Sequence, residues 1–556
     1  MRRYVMAGLV TAALALPAAA QDAPAKPQPA DHAAQMPAAH DAHSHDDNLK
    51  PKVPTLLTGY GGGGFPITTA VPQAQAFFSN GMELGEAFAH SAAAAAMEHA
   101  VTLDPACAMC KWGEALVEGP TINYGKDKDE RKPLLALARE AEIQAIQHGT
   151  ARERELTAAL VERYRGGKPA RRDAAYAAAM QGVQAQYPED KEIAVLTADA
   201  MLVDAFNGFS DDKTPFDRGE VARAAALLEG VLAREPNHTP AIHFYIHAEE
   251  VLGQPGKAEP YADKLAQLAP SASHLVHMPG HTWYWLGRYE DTAQTNARAV
   301  ELGIDNAKRL GLPGPDGVWG LPYHAHNVIY GIGGALMAGD AKIGLALARP
   351  LVAVAAERTD DPPPMQLLAA LGYEAVAHFD PASVAALTEP KMPYLKAAWH
   401  YARGEAAAAA GDAARVKAEL DAIPPTIAKP KKKDSKAPEQ MLGIVRAVLA
   451  GRIAMLGHDP AAAAESFRRA AEIEETPAFN DFTDPPAFWY PVRRDVAAAL
   501  LAAGDARGAK EAAEASLRLR VKDPAAEAIQ AQADAALAAA SAPPPTAMTS
   551  GAPPSG

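Results

Sequence analysis

The chain has 556 residues, of which 48% are hydrophobic and only 6% are aromatic, and its formal net charge is −14 at pH 7. This acidic balance argues against sequence-independent binding to nucleic acid, which requires a basic surface. Alanine runs such as the one in residues 91–100 favour closely packed helices, because alanine has the highest helix propensity. Alternating β-branched segments bounded by turns are nearly absent, so the sequence predicts an all-α protein.

Residues 1–20 have the pattern of a secretory signal peptide. A basic start at Arg2 and Arg3 is followed by an apolar stretch and then by small residues, which predicts cleavage before Gln21. The apolar stretch is too short for a comfortable membrane span, and no later segment approaches one. We therefore expect a periplasmic or secreted protein without a membrane-spanning segment.

Residues 21–54 are rich in Ala, Pro, Asp and His, and they are too polar to bury a core, so we expect disorder. Histidine-rich tracts in exported proteins often bind metal loosely. The histidines of this tract are His32, His40, His43 and His45. The alternative is a flexible tether in which these histidines have no role. At the other end of the chain, residues 541–556 are predicted to be a disordered tail.

The two cysteines of the chain, Cys107 and Cys110, form a C-x-x-C pair. In an oxidising compartment such a pair forms a local disulfide. Covalent haem attachment would require a histidine after the second cysteine, where this chain has Lys111. A zinc ribbon would require a second cysteine pair. A structural disulfide is therefore the preferred interpretation, with a pair of buried thiols or a redox role as alternatives.

Helical hairpins recur along residues 55–540. Residues 287–303, 457–475 and 504–524 share one pattern, in which a glycine ends one helix and a short turn leads into a second helix rich in small residues. Other segments, such as residues 222–236, end at a closing proline. This pattern resembles the tetratricopeptide repeat, a helix–turn–helix unit of about 34 residues. The resemblance implies a superhelical solenoid of stacked helix pairs.

Four motifs resemble a narrower family. They are "DPACAMCKWG" (residues 104–113), "HFYIHAEE" (243–250), "HLVHMPGHTWYWLGRYEDT" (274–292) and "PYHAHN" (322–327). Together they are similar to a family of exported bacterial tetratricopeptide proteins, which is described by its repeats and has no settled activity. The resemblance therefore implies a fold and an exported location, and it implies no chemistry.

Two histidine pairs recur at the period of the repeat. His243 and His247 are four residues apart, as are His277 and His281, and each member of the second pair follows its counterpart by 34 residues. Residues three or four apart share one face of a helix, so each pair forms a stripe, and Glu250 extends the first stripe. Neighbouring helices lie about 8–10 Å apart, a distance that imidazoles on two helices can bridge by meeting at one ion.

The resemblance to the repeat family extends this set of residues along the concave groove. The residues that it places on the groove wall are His243, His247, Glu250, His274, His277, His281 and Tyr284. In the next repeat, His326 falls near the register of His274, whereas His324 is expected to point elsewhere, along the mouth of the groove. An insertion before this repeat makes its alignment less regular.

Pro279 and Gly280 lie between His277 and His281. Both residue types weaken the interior of a helix. The sequence therefore predicts a kink that bends this histidine segment and opens the groove wall for a ligand.

Two main functions fit these observations. The leading hypothesis is that the groove binds a ligand or a protein or peptide partner, which is the general use of this fold. The alternative is a metal-dependent enzyme or a metal-handling protein, since imidazoles with one carboxylate suit zinc, copper or iron. The candidate metal ligands are His243, His247, His277 and His281. A purely structural role for the histidines is the third possibility.

The sequence does not decide whether the protein is an enzyme. In the metal hypothesis, Glu250 is a ligand or a base and Tyr284 is a hydrogen-bond donor to substrate. The metalloprotease pattern H-E-x-x-H is absent, and H-x-x-x-H alone is common on helices.

Overall fold

The computed structural model describes residues 51, 54–123, 125–208, 217–312, 314, 316–427, 436–480 and 484–541. Over this part of the chain the protein is all-α, as predicted. The helices are α1 (Pro72–Glu86), α2 (His90–Leu103), α3 (Ala108–Val117), α4 (Lys128–His148), α5 (Ala151–Tyr164), α6 (Pro169–Gln186), α7 (Lys191–Gly208), α8 (Arg218–Arg234), α9 (Thr239–Val251), α10 (Pro255–Leu268), α11 (Ser273–His277), α12 (Pro279–Trp285), α13 (Tyr289–Arg309), α14 (His324–Ala338), α15 (Ala341–Glu357), α16 (Pro363–Phe379), α17 (Pro393–Ala409), α18 (Ala413–Ala422), α19 (Lys436–Leu456), α20 (Pro460–Glu474), α21 (Pro477–Asn480), α22 (Arg493–Ala502), α23 (Ala506–Leu519) and α24 (Pro524–Ser541).

Some predictions fall outside the described residues. The signal peptide of residues 1–20 lies there, and so do the histidines of the tract that follows it, His32, His40, His43 and His45. The predicted tail also lies outside them, apart from Ser541, which ends α24. Among the helices that are described, none is long and apolar enough to cross a membrane.

Gly-Asp dipeptides join three of the helix pairs. The glycines Gly339, Gly411 and Gly504 have φ values of 74°, 75° and 85°, a left-handed conformation that glycine adopts without steric cost. The aspartate that follows each of them, as in Asp340 and Asp505, accepts a hydrogen bond from a backbone N–H in the first turn of the next helix. This local chemistry produces the tight helix–turn–helix unit that the sequence predicted.

Consecutive helices pack against one another along most of the described chain, as a solenoid requires. Their apolar side chains form two large buried clusters. One extends from Tyr60 to Met278 and also takes in Tyr323, and the other extends from Tyr284 to Ala513. The seam between the clusters falls at α11 and α12, in the segment that carries the predicted histidines.

The superhelix closes around this seam, because residues far apart in the sequence meet there. The Asn123 amide donates to the Tyr323 hydroxyl at 3.1 Å. On the other side, the Tyr289 hydroxyl donates to the carbonyl of Val521 at 2.7 Å. Parts of the chain about 200 residues apart are therefore in contact on both sides of the seam.

Every residue in the segment of residues 485–492, between α21 and α22, is buried. Its Trp489 ring packs against His378 of α16, with ring centroids 4.9 Å apart. The buried Glu474 carboxylate accepts a hydrogen bond from the Val492 N–H at 2.8 Å, which anchors the end of the segment. This segment thus brings together residues that lie more than 100 positions apart in the sequence.

The predicted disulfide between Cys107 and Cys110 is present, and both residues are buried at the start of α3. The bond closes a loop of only a few residues, so it stabilises the first turn of α3 rather than the array as a whole.

We predict that Glu474→Ala lowers the free energy of unfolding by about 1–3 kcal/mol, because the buried Val492 N–H then has no acceptor. Glu474→Gln retains an acceptor and is the matched control, for which we expect a smaller loss. Urea unfolding of both variants at one pH measures the difference. Equal losses in the two variants would contradict this role for the hydrogen bond.

The same side chain predicts a pH dependence. Burial raises the pKa of Glu474 to about 8, from an ordinary value of 4.5. Between these values the folded protein keeps the proton that the unfolded chain releases, so the contribution of Glu474 to stability falls as the pH rises through this window. Because glutamine does not titrate, the stability of wild type relative to Glu474→Gln should decline from pH 5 to pH 8. A constant difference would contradict the shifted pKa.

Candidate metal centre

Three helical segments supply the histidines of the seam. Helix α9 carries His243 and His247 one turn apart, the α11–α12 segment carries His274, His277 and His281, and α14 carries His326. The hydrogen-bond ladder of the helix is interrupted at Met278, because Pro279 has no N–H to continue it, while the Met278 backbone keeps right-handed helical angles (φ −51°, ψ −37°). The interruption does not open the histidine wall, since the histidines on its two sides remain in contact.

The buried histidines form two adjoining sets of three. The first trio is His243, His247 and His274, and the second trio is His277, His281 and His326. Within each trio, one potential ligand atom from each side chain lies within 4.8 Å of the other two. All six residues are at most 9% exposed.

In the second trio, the Nε2 atoms converge. The Nε2 atoms of His277 and His281 are 2.8 Å apart, and Nε2 of His326 lies 3.4 Å from Nε2 of His281. Nitrogen ligands in a tetrahedral zinc site are about 3.3 Å apart, since each Zn–N bond is about 2.0 Å long. The two distances measured to His281 Nε2 are therefore close to the spacing in a ligand set.

Asn296 of α13 fixes the orientation of His277. Its side-chain Nδ2 donates to the carbonyl of Thr292 at 2.8 Å, so its Oδ1 is the atom that lies 2.6 Å from His277 Nδ1. An amide oxygen only accepts, and His277 Nδ1 must therefore carry the hydrogen. The lone pair of the neutral ring is then on Nε2, directed at the centre of the trio.

Glu250 of α9 has the same effect on His281. Its Oε2 accepts from His281 Nδ1 at 2.7 Å, while its Oε1 accepts from the Trp285 indole at 3.1 Å and from the Tyr330 hydroxyl at 3.2 Å. A carboxylate behind a histidine in this way is the usual outer partner of a metal-binding imidazole. From the sequence, Glu250 was expected to be a ligand or a base, whereas the structure places it behind the His281 imidazole as an orienting group.

When His281 is neutral, these two orientations leave the Nε2 lone pairs of His277 and His281 facing each other at 2.8 Å; when His281 is protonated, its Nε2–H donates to His277 Nε2. Two lone pairs at this distance repel unless a proton or a metal ion lies between them. A shared proton relieves the contact between these two rings, whereas a metal ion accepts a lone pair from His326 as well. The 3.4 Å separation between the Nε2 atoms of His326 and His281 is longer than a normal hydrogen bond, so no strong hydrogen bond joins these two rings.

Burial sets the charge state of most of these rings. It lowers the pKa of His243 to about 3, although the hydrogen bond to the Glu86 carbonyl opposes the shift. Burial and the neighbouring histidines also lower the pKa of His247, His274 and His277 well below the ordinary value. At neutral pH these rings are therefore neutral, which is the form that binds metal.

His281 differs from the other rings. Burial alone would lower its pKa, but the carboxylates of Glu250 and Asp484 outweigh burial and raise it. Asp484 reaches the centre from the segment between α21 and α22, with its Oδ1 3.5 Å from His281 Nδ1 and 3.8 Å from His326 Nε2. The negative charge of the centre is thus concentrated around this one imidazole.

The structure groups the candidate residues differently from the sequence prediction. The four candidate metal ligands, His243, His247, His277 and His281, do not form one set, because His243 contacts His274 rather than His277. Tyr284 packs among Trp285, Tyr289 and Tyr330, with ring centroids 5.4–6.2 Å apart, and it is Tyr330 that contacts His281. His324 lies against Trp319 instead, with ring centroids 4.9 Å apart, outside both trios.

Three residues of the centre were missed by the sequence analysis. Tyr330 follows His326 by four residues on α14, so the helical spacing could have found it. Asn296 lies in the second helix of a repeat, where the groove pattern gives no signal. Asp484 follows the histidines by more than 150 residues, and only the closure of the superhelix brings it near them.

Comparisons with known proteins add no chemistry to this picture. No protein-family model matches the chain, and the comparison with curated proteins gives no match either. Among solved structures, the chain is similar to yeast Tom70, with 11% identity over 85% of this chain and 90% of that chain and a TM-score of 0.26. It is also similar to the Cut9–Hcn1 hetero-tetramer of the APC/C, with 10% identity, 83% and 76% coverage and a TM-score of 0.28. For the P58(IPK) TPR domain the values are 13% identity, 84% and 99% coverage and a TM-score of 0.23. With TM-scores this low, we base the fold on the helices of this chain and take no function from these proteins.

The close approach of α12 to α13 gives a testable prediction. A Cβ atom added at Gly280 would lie 2.6 Å from Asn296 Nδ2, which is held by the Thr292 carbonyl. We expect Gly280→Ala to displace this amide and to lower the free energy of unfolding by about 1–3 kcal/mol, the cost of unpaired buried polar groups.

The matched control is Gly230→Ala in α8, where nothing lies within 4 Å of the added Cβ. This change should stabilise the protein by about 0.5–1 kcal/mol, because alanine is the better helix former. Denaturant unfolding measures whether each substitution lowers or raises the free energy of unfolding. Stabilisation by both substitutions would contradict the packing around Asn296.

Proposed function

We propose that this chain is an exported metalloprotein that binds a transition metal ion through Nε2 of His277, His281 and His326. The observation that carries the proposal is the convergence of these three atoms, two of them oriented by outer partners on their Nδ1 side. Imidazole ligands suit zinc, copper and iron. Three protein ligands leave a coordination position for water or a substrate, as in catalytic zinc sites.

The exported location is part of this proposal. It rests on the signal-peptide pattern of residues 1–20, and the disulfide between Cys107 and Cys110 supports it, since such bonds persist in oxidising compartments. The histidines His32, His40, His43 and His45 near the predicted mature N-terminus add a flexible tract of weak metal ligands. Because this tract also binds metal in the proposal, experiments must separate it from the centre.

The burial of the centre favours a metal ion over a peptide at these side chains. A peptide must contact an exposed groove wall, whereas the six histidines are at most 9% exposed. The side chains of Glu250 and Asp484 are only 15% and 11% exposed, so a small ion fits this centre better than a peptide chain does. A partner on the outer surface of the array remains compatible with the fold.

Metal content tests the proposal. The parent protein is the full chain with His32, His40, His43 and His45 replaced by alanine, which removes metal bound to the flexible tract. In this background we expect His277→Asn to lose one equivalent of metal, measured by elemental mass spectrometry after zinc loading and desalting. Asparagine retains an amide N–H where His277 Nδ1 stands, and it lacks the Nε2 donor.

The matched control is His324→Asn, which changes another buried histidine on α14 that lies outside both trios. It should retain the metal content of the parent. If His277→Asn retains it as well, or if the parent binds no zinc, copper or iron, the proposal is wrong.

Asn296 provides a second test, as a positioning residue that does not contact the ion. We expect Asn296→Ala to weaken metal binding by about 10–100-fold, the usual effect of removing an outer partner of a metal ligand. Asn296→Asp keeps an acceptor for His277 Nδ1 and should stay within a few-fold of the parent. Competition with a chromophoric chelator measures both affinities, and an unchanged affinity in Asn296→Ala would contradict the orienting role.

A further inference from the structure

The first trio contains close nitrogen–nitrogen contacts that an ion bound to the second trio would not explain. The Nε2 atoms of His243 and His274 are 3.0 Å apart. His243 Nδ1 lies 2.8 Å from the backbone carbonyl of Glu86, and because a carbonyl only accepts, this nitrogen carries the hydrogen. The lone pair of His243 is therefore on Nε2, directed at His274.

Two further nitrogens of the first trio are buried without a hydrogen-bond partner. They are Nε2 of His247 and Nδ1 of His274, in residues that are 3% and 5% exposed. Burying a polar atom without a partner costs free energy, so such atoms are rare in folded proteins. A proton on His274 Nε2 would relieve its contact with His243 and would leave His247 Nε2 unpaired. An ion bound to the trio gives His247 a partner.

Two aromatic residues in a strained conformation enclose this trio. Phe88 and Tyr323 have φ values of 56° and 66°, in the left-handed region that residues other than glycine seldom adopt. Both rings pack on His274, with centroids 4.8 Å and 4.5 Å from its ring. Conformations of this kind cost free energy and cluster at functional sites, where the surrounding structure maintains them.

The two trios lie side by side. The ring of His247 is 5.7 Å from that of His281, and the ring of His274 is 5.6 Å from that of His277, measured between centroids. The imidazoles of the two trios therefore contact one another directly, in one enclosed space.

We propose that His243, His247 and His274 bind a second transition metal ion, adjacent to the ion of the second trio, so that the seam holds a two-metal centre. This second site, formed by the first trio, shares no residue with the site of the second trio. Its test therefore does not depend on the proposed function. Its ligands are again imidazoles, so the ion belongs to the same class, zinc, copper or iron. With two adjacent ions, the nucleophile and the group that it attacks can be polarised at the same time, which a single ion does not achieve.

The test counts metal ions in the full chain carrying the four alanine substitutions in the N-terminal tract. Calorimetric titration with zinc should give two equivalents for this parent and two for His324→Asn. We expect one equivalent for His243→Asn, which keeps an amide donor for the Glu86 carbonyl, and one for His277→Asn. The double variant should bind none.

Each outcome of the titration decides one proposal separately. If His243→Asn binds as much zinc as the parent, the second site does not exist, whatever His277→Asn does. If His243→Asn loses one equivalent and His277→Asn loses none, the second site stands and the proposed function of the second trio fails. If His243→Asn does not fold, His247→Gln replaces it under the same criterion.

Paramagnetic resonance tests whether the two ions are adjacent. With copper(II) as the probe, the parent loaded with two equivalents should give a spectrum broadened by coupling between the two spins. His243→Asn and His277→Asn should each give the spectrum of an isolated ion. Two uncoupled spectra in the fully loaded parent would overturn the two-metal centre.

Discussion

The hydrogen bonds on the Nδ1 side of His277 and His281 determine what this seam can do. Asn296 and Glu250 each accept from one ring, at 2.6 Å and 2.7 Å, and this fixes which nitrogen carries the hydrogen. Without these acceptors either tautomer would be available, and the convergence of the Nε2 atoms would have no chemical consequence. With them, two lone pairs are held against each other in a buried space, an arrangement that only a shared proton or a metal ion stabilises.

The architecture explains why such a centre can exist in a helical array. A buried polar cluster is costly unless its groups are paired, and it would disrupt a continuous apolar core. Here the apolar side chains divide into two clusters, and the histidines lie at the seam between them. The break at Met278 and the small Gly280 let α12 approach α13 closely enough for Asn296 to reach its partner. An ion bound at the seam would also stabilise the packing of the two halves, since anything that binds only the folded state adds its binding free energy.

Much of the fold was predictable from the sequence, because its signals are local. Gly-Asp turns, alanine-rich helix faces and closing prolines act within a few residues, and they define a helical hairpin wherever they occur. The 34-residue recurrence of His243 and His277 also led to α9 and the α11–α12 segment, which carry five of the six histidines of the two trios. Helical spacing gave the faces on which these residues lie.

The grouping of the site residues was not predictable, because it depends on offsets between helices and on closure of the superhelix. A shift of one turn between neighbouring helices pairs His243 with His274 rather than with His277. Asp484 and the buried segment of residues 485–492 meet the histidines only through the tertiary path of the chain. An accessible groove was expected for the same reason, since the repeat register describes neighbouring repeats and carries no information about distant ones.

The most direct test of this account is anomalous X-ray diffraction from crystals of the zinc-loaded protein, with data collected on both sides of the zinc absorption edge. The account predicts an anomalous peak within coordination distance of Nε2 of His277, His281 and His326. The Nδ1 atoms of His277 and His281 should still donate hydrogen bonds to Asn296 and Glu250. Zinc bound only at surface side chains, or bound through the Nδ1 atoms of these rings, would contradict it.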